Sequence, residues 1–155
     1  MQHIYLNTAA AGLVPANFTD EANKLYATFS TYTSANAEKW RDETQPQIRQ
    51  RLAAFLSVPV VNMSFLPNFS WGINGIVHSL KGTEKVMLYK GDYPSLLDPF
   101  KVNAFEIRWL EDTDGFTIPV DMMKQRLLDD KVEVLAISHV QWMSSFKFDL
   151  GDIGA

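Results

Sequence analysis

The chain has 155 residues, 46% apolar and 21% charged, the balance of a soluble globular domain with enough length for a real core and not of a disordered segment. Its 14 Lys and Arg against 18 Asp and Glu leave a formal charge of −4, and no basic cluster of five or more residues occurs, which argues against a dedicated nucleic-acid binder. Cysteine is absent, so disulfides and thiolate metal sites are excluded.

No stretch approaches the roughly 18 consecutive apolar residues of a membrane helix. The opening Met1-Gln2-His3-Ile4-Tyr5-Leu6-Asn7 lacks the charged start and apolar run of a secretory signal, so a cytoplasmic protein is the expectation. His3, His78 and His139 are far apart, without the spacing of a histidine metal site.

Residues 1–16 read as an extended arm, rich in small residues and with Gly12 ahead of Pro15. Such a segment suits backbone running close to something else, and equally a flexible terminus. Two helical patterns follow. Phe18, Ala22, Leu25, Tyr26 and Phe29 form one stripe, and Ile48, Leu52, Phe55 and Leu56 form another; both are expected to face the core. Pro46 is expected to break or kink a longer helix that begins near Ala35. From Val60 the pattern alternates. Strands are expected over Val60–Phe65, Lys85–Tyr89, Ala104–Trp109 and Glu133–Ser138, and helices over Ser70–Leu80, Ser95–Val102 and Val120–Asp129. This alternation predicts an α/β domain with a mainly parallel sheet flanked by helices.

In such sheets ligands gather at the carboxyl ends of the strands, and three post-strand loops carry candidate residues. The first, Pro67-Asn68-Phe69-Ser70, leads into a helix whose first-turn N–H groups and dipole attract anions, with Ser70 as cap or phosphate donor. Most such junctions bind nothing. The second loop carries Tyr93, which suits stacking on a heteroaromatic ring or packing under the Pro94 turn. The third carries Gln141, a neutral hydrogen-bond partner or an ordinary polar loop residue, beside Trp142. Taken together they describe a pocket for a flat, phosphorylated aromatic molecule.

These segments resemble the class V aminotransferase and cysteine desulfurase group of fold type I pyridoxal phosphate enzymes, over essentially the whole chain. Tyr5-Leu6-Asn7-Thr8-Ala9-Ala10-Ala11-Gly12 is similar to the family's N-terminal segment at the active-site entrance, which implies Asn7 and Ala10 near the substrate mouth. Phe65-Leu66-Pro67-Asn68-Phe69-Ser70-Trp71-Gly72 looks like its phosphate loop, implying Asn68, Phe69 and Ser70 as phosphate contacts. Gly91-Asp92-Tyr93-Pro94-Ser95 matches the loop with the ring-stacking residue, here Tyr93. Ser138-His139-Val140-Gln141-Trp142 looks like the strand end that approaches the cofactor's phenolic oxygen, with Gln141 as the contact. The implied division is an arm and first helix over 1–34, then the first half of the cofactor-binding large domain over 35–155. The implied protein is a homodimer when full length, acting on an amino-acid-like substrate through an aldimine.

Two departures bear on the reaction. Desulfurases of this group stack a His on the cofactor, and the position here is Tyr93, whose phenol is a poor acid–base group near neutral pH. That favours an aminotransferase-like, epimerase-like or lyase member over a desulfurase or selenocysteine lyase. The family's Schiff-base Lys and the Asp facing the pyridine nitrogen match no position here; Lys81, Lys85, Lys90 and Lys147 do not fit. The resemblance therefore implies the N-terminal half of an enzyme, with no catalytic residue of its own, exposed strand edges, weak cofactor binding and no turnover in isolation. A non-catalytic truncated remnant is the competing reading. An unrelated nucleotide-binding α/β domain is a third, and it lacks the GxxxxGK[ST] and GxGxxG signatures.

Overall fold

The computed structural model describes residues 4–8 and 11–154. The chain divides into two compact units, Met1–Phe65 and Leu66–Ala155. Among the described residues no helix is long and apolar enough to cross a membrane.

The first unit is helical: α1 (Ala16–Phe29), α2 (Thr33–Lys39), a π-helical turn (Trp40–Thr44) and α3 (Gln45–Phe55). The kink expected at Pro46 takes the form of that turn. Proline lacks the N–H of a helical bond and its ring crowds the carbonyl four residues back, so the turn before it widens. The Gln45 N–H accordingly reaches the carbonyl of Trp40, five residues away. The expectation that both apolar stripes face a core is corrected. Phe18 is 63% exposed, Tyr26 75% and Phe55 82%, and Ala53 is the one fully buried residue among those described in these helices. Amphipathic spacing puts these residues on one face of each helix but does not supply the surface that the face packs on.

The strand expected over Val60–Phe65 is also corrected. Val60–Asn62 winds into a single 3₁₀ turn after Pro59, which is extended at φ −60° and ψ 135°. A strand needs a neighbour to accept and donate its ladder bonds, and among the described residues no pairing involves this segment. Its β-branched composition alone does not hold it extended.

The second unit is α/β, with a small parallel sheet flanked by helices. Its strands are β1 (Lys85–Tyr89), β2 (Glu106–Leu110) and β3 (Val134–Ala136), in spatial order β2-β1-β3. Both pairings are parallel, with Val86 opposite Ile107 on one side and Val134 on the other. The helices are α4 (Phe69–Ser79), α5 (Pro94–Val102), α6 (Val120–Asp129) and the short α7 (Leu150–Ile153). β1 and α6 occupy the spans read from the sequence. β2 begins later than expected because Ala104 takes a left-handed φ of 56° in the turn that closes α5.

The centre of the sheet explains the core. Val86, Met87, Leu88 and Tyr89 are all buried, as a central strand covered on both faces requires. Alternation divides them. Val86 and Leu88 pack with Ile73 and Val77 of α4 and with Leu96, Leu97 and Phe100 of α5. Met87 and Tyr89 pack on the other face with Leu110, Ile118, Met123 of α6 and Phe148. Each such side chain contributes roughly 1.5–3 kcal/mol when fully buried.

Tyr89 keeps one polar atom within that apolar layer, and its hydroxyl donates to Asp112 Oδ2 at 2.7 Å. Burial, and then that bond, push the Tyr89 phenol from an ordinary 10.0 up to about 12. Between those two values the folded chain holds a proton that the unfolded chain has released, so stability falls as pH rises through the window. Tyr89→Phe is expected to flatten that alkaline decline in denaturation midpoint. A decline of unchanged steepness would assign it to another group.

Candidate functional site

β1 leads through α5 to β2 on one side of the sheet, and β2 leads through α6 to β3 on the other. The chain direction across the sheet therefore reverses between β1 and β3. Ligands of open α/β sheets bind at such a switch point, outside the carboxyl ends of the strands. Here the loops after β1 and β3 meet, with the first turns of α4 and α5 beside one another.

Asn68 opens α4. Its backbone is extended, at φ −166° and ψ 173°, and its Oδ1 accepts the Trp71 N–H at 2.9 Å. The helix expected to start at Ser70 begins one residue earlier, at Phe69, and of the two roles open to Ser70, cap or phosphate donor, the cap falls to Asn68. A capping side chain serves the N–H two or three residues on, and from Asn68 that N–H is Trp71. The N–H groups of Phe69 and Ser70 are left without a protein acceptor among the described residues.

Tyr93 opens α5. It is extended, its carbonyl accepts the N–H groups of Leu96 at 2.9 Å and Leu97 at 3.3 Å, and Pro94 occupies the first turn. A proline there suits a helix start, since its missing N–H would have had no helical partner. The Ser95 N–H likewise has no acceptor among the described residues. The two helix starts touch through their hydroxyls, with Ser70 Oγ donating to Ser95 Oγ at 3.1 Å. A cavity of about 510 Å³ lined by Asn68, Ser70, Trp71, Asn74, Gly75 and His78 lies along α4. A second, of about 390 Å³, includes Ser70, Asn74, Ser95, Asp98 and Asn103. Both fall in the size range of small-molecule sites.

The loop after β1 is joined to the loop after β3 by Asp92, a residue that sequence reasoning passed over. Asp92 is 4% exposed. Its Oδ1 accepts the Tyr93 N–H at 2.7 Å and the Ser138 hydroxyl at 2.6 Å. Its Oδ2 accepts the Ser138 N–H at 2.7 Å and Gln141 Nε2 at 3.1 Å. Diverting the Ser138 N–H to Asp92 also explains why β3 ends at Ala136 and not at Ser138 as expected. Beyond it, residues 138–148 fold back on themselves, with the Gln141 N–H on the Phe146 carbonyl at 2.8 Å and a bridge between Val140 and Lys147.

Tyr93 is half exposed and meets Trp142 edge to face, with ring centroids 5.6 Å apart. The Trp142 indole N–H donates to the Gly91 carbonyl at 3.1 Å, a second tie between the two loops. Gln141 is buried. Its amide nitrogen is shared between Asp92 and the Ser138 carbonyl, and its Oε1 has no partner among the described residues. The structure thus gathers Asn68, Phe69, Ser70, Tyr93 and Gln141 into the α/β unit, with the first three on α4 and the other two at the joined loops. Asn7 belongs to the first unit, where its carbonyl accepts from the Tyr5 hydroxyl at 3.0 Å and the Ala11 N–H at 3.2 Å. Ala10 lies outside the described residues.

Ser95 and Asp92 are the residues sequence reasoning missed. The available signal was polar side chains in Gly91-Asp92-Tyr93-Pro94-Ser95, just after the run Val86-Met87-Leu88-Tyr89. Comparison with protein-family models, with curated proteins and with solved structures finds no match to this chain.

Gly91 permits the close turn out of β1. A Cβ added there would stand 2.7 Å from the Tyr89 hydroxyl and 2.8 Å from two of its ring carbons. Tyr89 is held in the core, so it has little room to yield. Gly91→Ala is expected to cost about 1–3 kcal/mol, the range of overpacked sites, measured by urea denaturation. A change within a few tenths would show that the Tyr89 ring moves aside.

Proposed function

We propose that this chain forms the phosphate side of the cofactor site in a pyridoxal-phosphate-dependent enzyme of the class V aminotransferase-like type. In this reading it is part of a fold type I large domain that acts on an amino-acid-like substrate. The observation that carries the reading is the meeting of two helix starts through Ser70 and Ser95, 3.1 Å apart, at the switch point beside the half-exposed ring of Tyr93. It is supported by the order of the segments that resemble that family. Fit is judged from the donor set. Three N–H groups without acceptors and two hydroxyls suit a phosphate, and an aromatic residue close by suits a flat ring.

The residues then divide the work. The N–H groups of Phe69, Ser70 and Ser95 and the hydroxyls of Ser70 and Ser95 bind the phosphate. The positive ends of α4 and α5 add to the attraction. Asn68 holds the first turn of α4 in shape by capping it. Tyr93 orients the ring, and Trp142 braces Tyr93. Gln141 is buried with its amide nitrogen committed, so what it offers a phenolic group is Oε1, which has no partner among the described residues and accepts from a phenol O–H but does not donate to a phenolate. When bound, pyridoxal phosphate supplies an electron sink for a substrate's α-carbon. The lysine that anchors it and the acid facing its ring nitrogen come from outside these residues. A tyrosine at the stacking position favours the aminotransferase-like branch over the desulfurases, because it binds the ring without offering an imidazole for proton transfer.

The test is an amide and aromatic NMR titration of the chain with deoxypyridoxine phosphate, which lacks the aldehyde and cannot condense with surface lysines. Saturable shifts are expected at Phe69, Ser70, Ser95 and Tyr93. Ser70→Ala is expected to weaken binding about tenfold, the scale of one charge-assisted hydrogen bond. Tyr93→Ala should weaken binding of this probe while leaving that of inorganic phosphate unchanged. Shifts confined to other residues, or equal losses for both probes in Tyr93→Ala, would refute the reading.

A further inference from the structure

We infer that Asp92 is a positioning residue, which fixes the ring of Tyr93 and the first turn of α5 against the loop after β3 and thereby sets the geometry of the site. Asp92 is not among the residues that line the two cavities described above and is 4% exposed, so its carboxyl group does not meet a ligand there. All four of its bonds go to neutral donors within the two loops, at 2.6 to 3.1 Å. A buried charged residue is ordinarily matched by a cation. Here none of its partners is one, and the backbone N–H groups, a hydroxyl and an amide take that place.

The consequence is directional. The bond from the Tyr93 N–H sets the residue whose carbonyl starts α5, and α5 in turn carries Ser95 to within 3.1 Å of Ser70. On the opposite side, Asp92 holds Ser138 and Gln141, and the adjoining Trp142 reaches both the Gly91 carbonyl and the Tyr93 ring. Tyr93 is therefore located at its backbone by Asp92 and at its ring by Trp142. Removing the carboxylate leaves donors on both loops unpaired and leaves the Trp142 indole N–H on the Gly91 carbonyl as the remaining hydrogen bond described between them.

The test compares Asp92→Asn with Met123→Ala, a large-to-small change in the apolar cluster on the face of the sheet away from α4 and α5, which lowers stability without removing a hydrogen bond from either loop. The first readout needs no ligand: nuclear Overhauser contacts between the Tyr93 and Trp142 rings, and the Trp142 indole N–H resonance. Asp92→Asn should lose the ring contacts and shift the indole, while Met123→Ala keeps both. Ring contacts that persist in folded Asp92→Asn overturn the inference. Should Asp92→Asn fail to fold, Ser138→Ala, which deletes only the hydroxyl bond, replaces it. Weakened ring contacts support the inference and unchanged ones overturn it.

The second readout rests on the pyridoxal phosphate reading. Affinity for deoxypyridoxine phosphate should fall about tenfold in Asp92→Asn, the effect of roughly one lost charge-assisted hydrogen bond, and less than about twofold in Met123→Ala. Equal losses in both variants would reduce Asp92 to a stability residue and overturn the inference. If the unaltered chain binds no deoxypyridoxine phosphate, the cofactor reading is what fails, and the ring contacts still decide the role of Asp92.

Discussion

The carboxyl group of Asp92 is the point on which the α/β unit turns. Two loops leave adjacent parallel strands at the same end of the sheet, and nothing in the ladder bonds obliges them to stay together. Asp92 joins them through donors on Tyr93, Ser138 and Gln141. Four hydrogen bonds to one buried group form a network whose members depend on one another, because any donor left unpaired in the low-dielectric interior is costly. The same network ends β3, starts α5 and sets the base of Tyr93. Structure and candidate site share this anchor, which the Trp142 indole N–H on the Gly91 carbonyl supplements.

Beneath that anchor lies an ordinary α/β core. β1 is buried on both faces, and its alternating residues serve two clusters, one on each face of the sheet. Because its two faces are covered by helices, its apolar run can be continuous. Its last residue, Tyr89, brings a hydroxyl to the rim and ties the end of the strand to Asp112 beyond β2. Apolar packing thus carries the strand ends to the place where polar bonds take over. At that place the chain also needs Gly91, since the turn runs over the Tyr89 ring with no room for a side chain.

The two units differ in how far they satisfy their own apolar surface. The α/β unit closes two clusters of buried residues, yet it retains a cleft of about 510 Å³ lined by Phe69, Ile73, Ile76, Leu96 and Phe100 beside Val134–Ser138. The outer edge of β3 has no strand against it among the described residues. The helical unit leaves most of its large apolar side chains exposed. Amphipathic spacing specifies which residues share a face. It does not provide the surface that the face packs on.

Local pattern was enough for the elements whose signals are short-range. The spans of β1 and α6 were legible because a buried run and a helical stripe are bounded by turn residues within the same stretch. The helical nature of 45–55, with its disturbance ahead of Pro46, followed from the missing N–H of proline. The Val60–Phe65 segment was misread because its β-branched composition mimics a strand, whereas a strand exists only where a partner completes its ladder. Whether Ser70 caps was left open by the sequence, because Asn68, two positions earlier, competes for the same role and the choice depends on where the backbone turns helical. Sequence alone determined the α/β class of the second unit, the order of β1, α5, β2, α6 and β3, and the three polar loops, two of which follow strands. Tertiary structure decided that Asp92 joins two of those loops, that Ser95 comes to Ser70 and that Gln141 is buried, because these contacts link residues 25 to 49 positions apart and no local periodicity encodes them.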